Sequence, residues 1–269
     1  MTSLSGFDTM LDSPSSLLIA EALRLLDRGH ESGVPLRLFG SVGVFVRCTN
    51  SRNFLLRNKI HPRDIDFASI GKFRESVRKF LVSQGYRVPS GGVLSPYMDR
   101  EIFIRSDTAP VKVEVFFDEL RFVHPIKLQT DFENDSQTLT LDTLLMSKLQ
   151  IRTLSEADIV QLIALLLQRE SELTARSRVD DSAIAARSSL DYRCWRDFRC
   201  ALSTVRVREG QKTVLLTESE KERLDRIVLY LDSSLLSAPR RVSWWLGRAK
   251  AILGIEPSEP EELDVSSTI

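Results

Sequence analysis

The sequence predicts an α+β chain, a mixed β-sheet flanked by helices and followed by a C-terminal helical domain. Three observations carry this reading. Val111-Lys-Val-Glu-Val-Phe-Phe117 alternates as a strand does, with Val111, Val113, Val115 and Phe117 on one face and Lys112, Glu114, Phe116 and Asp118 on the other. Two more strand candidates, 35–39 and 64–67, come before it, and an amphipathic helix over 73–84 lies between them and it. After about residue 138 the texture turns helical and stays so to 253.

Taken in order, residues 1–15 hold Ser, Asp and Pro and are expected to be flexible. Ser15 or Ser16 caps a helix to Asp27, with Leu17, Leu18, Leu23, Leu25 and Leu26 as its apolar side and Gly29 and Gly33 beyond its end. Pro35–Phe39 reads as a short buried strand ending at Gly40-Ser41, and Val42–Val46 opens a helix or a second strand. The segment 47–63 has no clean period and reads as a loop or short helix. Phe73–Gln84 places Phe73, Val77, Phe80 and Leu81 on one helical face before Gly85. Residues 87–97 are turn-rich, and 101–105 form a strand. Helices follow at 141–152, 155–169, 180–206, 217–231 and 240–253, the second opened by a Ser155–Asp158 capping box. The expected organisation is a start over 1–15, an α/β domain over 16–138, a helical domain over 139–255 and an acidic, disordered tail over 256–269.

Composition narrows the function classes. Lys plus Arg and Asp plus Glu are 37 each, so net charge gives no argument for or against nucleic acid. The charge is unevenly spread: Arg47, Arg52, Arg57, Lys59 and Arg63 occur with no acid among them, which reads either as a solvated loop or as a funnel for a triphosphate or nucleic acid. Cys48, Cys194 and Cys200 have no metal spacing and suit a reducing cytoplasm. No leader pattern or membrane-length apolar run is read, so a soluble cytoplasmic protein is expected.

The chemistry concentrates at Arg63-Asp-Ile-Asp-Phe67. On a strand, Asp64 and Asp66 share a face, their Cα atoms roughly 6.5–7 Å apart, while Ile65 and Phe67 enter the core. Two adjacent carboxylates call for a cation, and a pair of Mg2+ ions fits such a bracket. Gly40-Ser41 at a strand-to-helix turn can offer backbone N–H groups to a phosphate. Glu114 is a charge inside a valine run and is the favoured third acid, with Asp118 as its rival. His61 and His124 read as structural, and Trp195, Trp244 and Trp245 as packing residues.

This succession, an apolar strand with Gly-Ser, then Asp-x-Asp, then a strand with a third acid, resembles the nucleotidyltransferase superfamily. The chain is more closely similar to bacterial nucleotidyltransferases of the AbiEii/MenT-type toxin group. Leu36-Arg-Leu-Phe-Gly-Ser-Val42 resembles their opening motif, Arg63–Phe67 their metal motif and Lys112–Leu120 their third-carboxylate strand. Leu144–Ile151 with Glu156–Ile159 resembles their helical lysine and aspartate motif, and Trp195–Arg199 a Trp-containing segment.

The resemblance implies a nucleotidyltransferase fold, two Mg2+ ions on Asp64, Asp66 and Glu114, and a nucleoside triphosphate such as ATP as substrate. Gly40, Ser41 and Lys148 are then expected to hold phosphates, with Asp158 orienting base, ribose or lysine. The implied acceptor is an RNA hydroxyl, a tRNA 3′ end among them, or a protein hydroxyl, and the implied partner is an antitoxin. Glu114 stands where Asp is commoner and Ala157 where lysine is common, which motivates a second expectation: a fold that binds nucleotide or RNA without turnover.

Overall fold

Four strands in the order β1-β2-β4-β3 make the central sheet of the computed structural model, which describes residues 14–89, 100–106, 110–133, 136–175, 182–209 and 214–255. Residues 1–13 of the expected flexible start, most of the turn-rich 87–97 segment and the acidic tail lie outside the described residues. β1 (Arg37–Phe39) runs antiparallel to β2 (Ile65–Ser69), β2 runs parallel to β4 (Val111–Phe117), and β3 (Arg100–Arg105) closes the far edge antiparallel to β4. The sheet is therefore mixed, as the sequence predicts. A small hairpin, β5 (Glu119–Leu120) with β6 (Ile126–Lys127), follows β4 and had no distinct sequence signal.

Alternation decides the two faces. Ile65, Phe67, Phe103, Val113, Val115 and Phe117 are fully buried. Glu101 shares their face; Arg74 and Arg78 of α4 (Arg74–Ser83) pair with it, so α4 covers this side. Arg105 on the same face pairs with Glu21 of α1 (Pro14–Glu31), which brings the first helix alongside. The other face carries Phe39, Asp66, Glu114 and Phe116, with the Phe39 and Phe116 rings meeting edge to face at 5.1 Å.

The region that sequence left as helix or strand is a helix, α2 (Gly40–Arg47), and the basic stretch holds a short one, α3 (Arg52–Arg57). Both lie against α6 (Glu156–Ala175) of the helical half. The Ser51 hydroxyl donates to the Ala164 carbonyl at 2.7 Å, and the Asn50 N–H donates to Gln168 Oε1 at 2.9 Å. Arg47 pairs with Glu172 at 2.9 Å and Arg57 with Glu220 at 2.5 Å. These two arginines thus clasp the two halves of the chain.

The crossing into the helical half runs along the sheet. Leu38 donates to the Gln137 carbonyl at 2.8 Å, and the Leu139 N–H returns to the Leu38 carbonyl at 2.9 Å, laying 137–139 beside β1. Thr140 then caps α5 (Leu141–Leu149), its hydroxyl accepting from the Thr143 N–H. α6 is buried almost all round from Ile159 to Arg169, as its apolar-rich sequence requires, with Gln161, Gln168 and Arg169 buried among the apolar side chains. It packs on α2, α3, α5, α8 (Tyr192–Glu209) and α9 (Glu218–Ser237). The predicted helix over 180–206 is two helices, α7 (Ser182–Leu190) and α8, divided at Asp191, whose carboxylate accepts from the Arg193 N–H at 2.9 Å. Asp/Asn/Ser/Thr at such a junction compete with the helical backbone and start a new helix instead. α10 (Val242–Ile252) packs Trp244 against Tyr192 and Trp195 of α8, as expected of these two tryptophans, whereas Trp245, expected to pack as well, is largely exposed. Among the described residues no helix is long and apolar enough to cross a membrane.

His124 is structural, as its sequence context predicts. It is buried, its N–H donates to Gln150 Oε1 at 2.6 Å, and its Nε2 lies 2.9 Å from Asp197 Oδ2, which also accepts from Arg152 Nε at 3.2 Å. Burial works to raise the Asp197 pKa, but the hydrogen bond with His124 and the Arg152 guanidinium outweigh it and hold the carboxyl below its usual value. A depressed carboxyl stabilises the fold above its unfolded pKa, and that stability is lost as pH falls through the folded value. Asp197→Asn should therefore cost about 1–3 kcal/mol at pH 7 by thermal or urea unfolding. The gap to wild type should close once the pH drops below about 4, the ordinary aspartate range.

Candidate functional site

Parallel pairing sets Asp66 directly opposite Glu114. Register partners on neighbouring strands point to the same side of a sheet, so these two acids, far apart in sequence, share one face. Asp64 sits two residues before Asp66, at the mouth of β2. The three carboxylates expected to act together are brought to one place.

Gly40 is built around Asp66. Phe39 is the register partner of Asp66, so the chain leaves β1 immediately beside that carboxylate and enters α2 with Gly40 at φ +60°. A Cβ at position 40 would collide with the Asp66 carboxylate. Glycine is thus required twice, by the left-handed backbone and by the close approach. Ser41 is half-exposed, and its hydroxyl accepts from Gln161 Nε2 of α6 at 3.1 Å.

Electrostatics single out Asp66. Burial, then the charges of Asp64 and Glu114, push its pKa well above the ordinary aspartate value, while Lys148 and Lys112 pull the other way. Lys148, on α5, pairs with Asp158 of α6 at 2.8 Å. Asp158 also closes the predicted capping box, accepting from the Ser155 N–H at 3.3 Å while the Ser155 hydroxyl accepts from the Asp158 N–H at 3.2 Å. Burial would raise the Asp158 pKa, but Lys148 and Ser155 hold it below the usual range.

Sequence reasoning passed over two cations. Lys112 Nζ lies 2.6 Å from Glu114 Oε1 and 3.6 Å from Asp64 Oδ2, and Arg100 Nη1 donates to Glu114 Oε2 at 3.0 Å. Burial would lower the Lys112 pKa, yet the hydrogen bond to Glu114 and the charges of Glu114, Asp64 and Asp66 raise it above the usual lysine value. The alternation of β4 already puts Lys112 on the face of Glu114, so this signal was available; Arg100 depends on the β3–β4 register, which was not.

Asp118, the rival third acid, has another task. It stands at φ +62° and accepts from the Gly71 N–H at 2.8 Å, pinning the 3-10 turn that opens onto α4.

Carboxylates are the donor type that a hard divalent cation takes, and burial with the charges of Asp64 and Glu114 disfavours the ionised form of Asp66. As the side chains stand, among the described residues no three His, Cys, Asp or Glu are placed so that they could hold a metal ion. The two oxygens of Glu114 are engaged by Lys112 and Arg100 instead. No protein-family model, curated protein or solved structure matches the chain.

An aspartate with a raised folded-state pKa destabilises the fold when ionised, and stability returns as pH falls through that value. Asp66→Asn should therefore raise Tm at pH 7 to 8. The gain should shrink on acidification toward pH 4, and differential scanning calorimetry across that range reads both. Loss of stability at pH 7 instead would mean that the Asp66 charge is compensated.

Proposed function

We propose that the protein is a Mg2+-dependent nucleotidyltransferase, moving a nucleoside monophosphate from a nucleoside triphosphate to a hydroxyl and releasing pyrophosphate. The single observation that carries this reading is the Asp66–Glu114 register pair, with Asp64 beside it and the Gly40 turn against it. The fold supports it only at a coarser level, a mixed sheet flanked by helices with a helical region after it.

Asp64, Asp66 and Glu114 would hold the metal ions, which when bound neutralise the triphosphate and lower the barrier to deprotonating the acceptor. In the transfer, the acceptor oxygen bonds to the α-phosphorus, the bond to the bridging oxygen breaks with pyrophosphate leaving, and the hydroxyl proton passes to a carboxylate or to water. Gly40 lets the backbone come close to a phosphate, and Ser41, the second residue of α2, adds a hydroxyl. Lys148 would supply a positive charge to phosphate oxygens while Asp158 fixes its direction. The resemblance to the AbiEii/MenT-type group supports ATP or another nucleoside triphosphate as donor, an RNA hydroxyl (a tRNA 3′ end among them) or a protein hydroxyl as acceptor, and a toxin role with an antitoxin partner.

The engagement of both Glu114 oxygens by cations favours a second reading, a protein of this kind that binds nucleotide or RNA without turnover. Incubation with labelled nucleoside triphosphates, Mg2+ and total RNA separates the two. Transfer predicts label in RNA or protein with the wild type and its loss in Asp66→Ala, which removes a proposed metal ligand. Nucleotide binding with no incorporation supports the second reading and overturns the first.

A further inference from the structure

Glu114 meets its two cations in different ways. Arg100 is a planar guanidinium on the neighbouring strand, over the Phe116 ring at 5.7 Å, and it takes Oε2. Lys112 takes Oε1 and reaches Asp64 as well. One ammonium thus bridges two of the three acids. A lysine side chain is a point charge on a flexible stem, and that of Lys112 is 39% exposed, so it can swing into water without disturbing β4. Arg100, with its side chain 23% exposed, is held more firmly.

We propose that the Lys112 ammonium is a resident counter-ion that occupies the divalent-cation position between Asp64 and Glu114, so that metal binding and Lys112 pairing exclude one another. The inference rests on the reading of these acids as metal ligands. A monovalent and a divalent cation cannot share the same two carboxylates: a few ångströms apart they repel strongly even in a partly screened protein surface. When Lys112 withdraws, Glu114 Oε1 and Asp64 Oδ2 become free together, while Arg100 still fixes the other Glu114 oxygen. Lys112 would set the affinity of the site and keep its acids compensated until a metal arrives.

Mn2+ binding to the full chain, followed by electron paramagnetic resonance and calorimetry without nucleotide, tests this directly. Lys112→Met should bind Mn2+ roughly two- to fivefold more tightly than wild type, the amount expected from removing one part-exposed ion pair. Arg63→Gln removes the same charge next to Asp64 without that pairing and should gain far less; an equal gain would reduce the effect to overall charge and overturn the proposal. Asp66→Asn should abolish binding in both backgrounds. If wild type binds Mn2+ through Asp66 but Lys112→Met binds no more tightly, Lys112 is not a competitor, and the metal reading survives without it. If neither wild type nor Lys112→Met binds Mn2+ at millimolar concentration, the metal reading itself falls and the proposal with it. A single cooperative thermal transition in Lys112→Met, its Tm lowered by loss of the ion pair with Glu114, would establish that the variant is folded.

Discussion

The parallel pairing of β2 with β4 is the constraint on which the rest depends. Parallel strands cannot be joined by a tight turn, so the chain must leave β2, pass through α4 and β3, and return to lay β4 alongside. Once that pairing is made, a period of two leaves no freedom: Phe67 and Val115 face the α1–α4 side, and Asp66 and Glu114 face the other. A slip of one residue would drive both acids into the core and expose the valines and phenylalanines. The burial of Ile65, Phe67, Val113, Val115 and Phe117 therefore fixes where the carboxylates lie. The hydrophobic core and the acidic site are two sides of one register.

Charge placed this way is costly, and the surroundings show how it is offset. Asp66 is crowded by two like charges, and the positive charges of Lys112 and Lys148 answer from opposite halves of the chain. Lys148 belongs to the helical half, which also reaches the Gly40–Ser41 turn through Gln161. That half is held by α6, by the hydrogen bonds of Asn50 and Ser51, and by the Arg47 and Arg57 ion pairs. The buried core is continuous from α1 to α9. The helical half is thus a wall of the site as well as a structural partner of the sheet.

Much of this was legible in the sequence, for reasons that differ by element. The alternation of 111–117, the Phe73–Gln84 helix and the Ser155–Asp158 capping box are local patterns, and local physics is enough to read them. The strand period put Asp66 on the polar face, while Asp64 stands just before β2, where the period no longer governs it. The split at Asp191 was missed because a single capping aspartate interrupts an otherwise helical stretch. The short β5–β6 hairpin was missed because two-residue strands have no period to detect. The choice of Glu114 over Asp118 could be argued only from the valines around it; the backbone of Asp118 and its bond to Gly71 settle what Asp118 does. The basic stretch 47–63 read as a loop or a funnel because ion pairs to Glu172 and Glu220 span more than a hundred residues of sequence. Pairings of that kind, and the Arg100–Glu114 contact across β3 and β4, depend on tertiary register and leave no local trace.

The central claim is that Asp66 and Glu114 of two neighbouring strands, with Asp64 just before the first, form one divalent-cation site facing the Gly40 turn. Anomalous diffraction from crystals grown with Mn2+ and a non-hydrolysable nucleoside triphosphate reads this directly. The account predicts Mn2+ peaks among the carboxylates of Asp64, Asp66 and Glu114, with the Lys112 ammonium moved away and the triphosphate between the metal and the Gly40–Ser41 turn. Mn2+ bound elsewhere, with Lys112 still bridging Asp64 and Glu114 and no nucleotide at the turn, would contradict it.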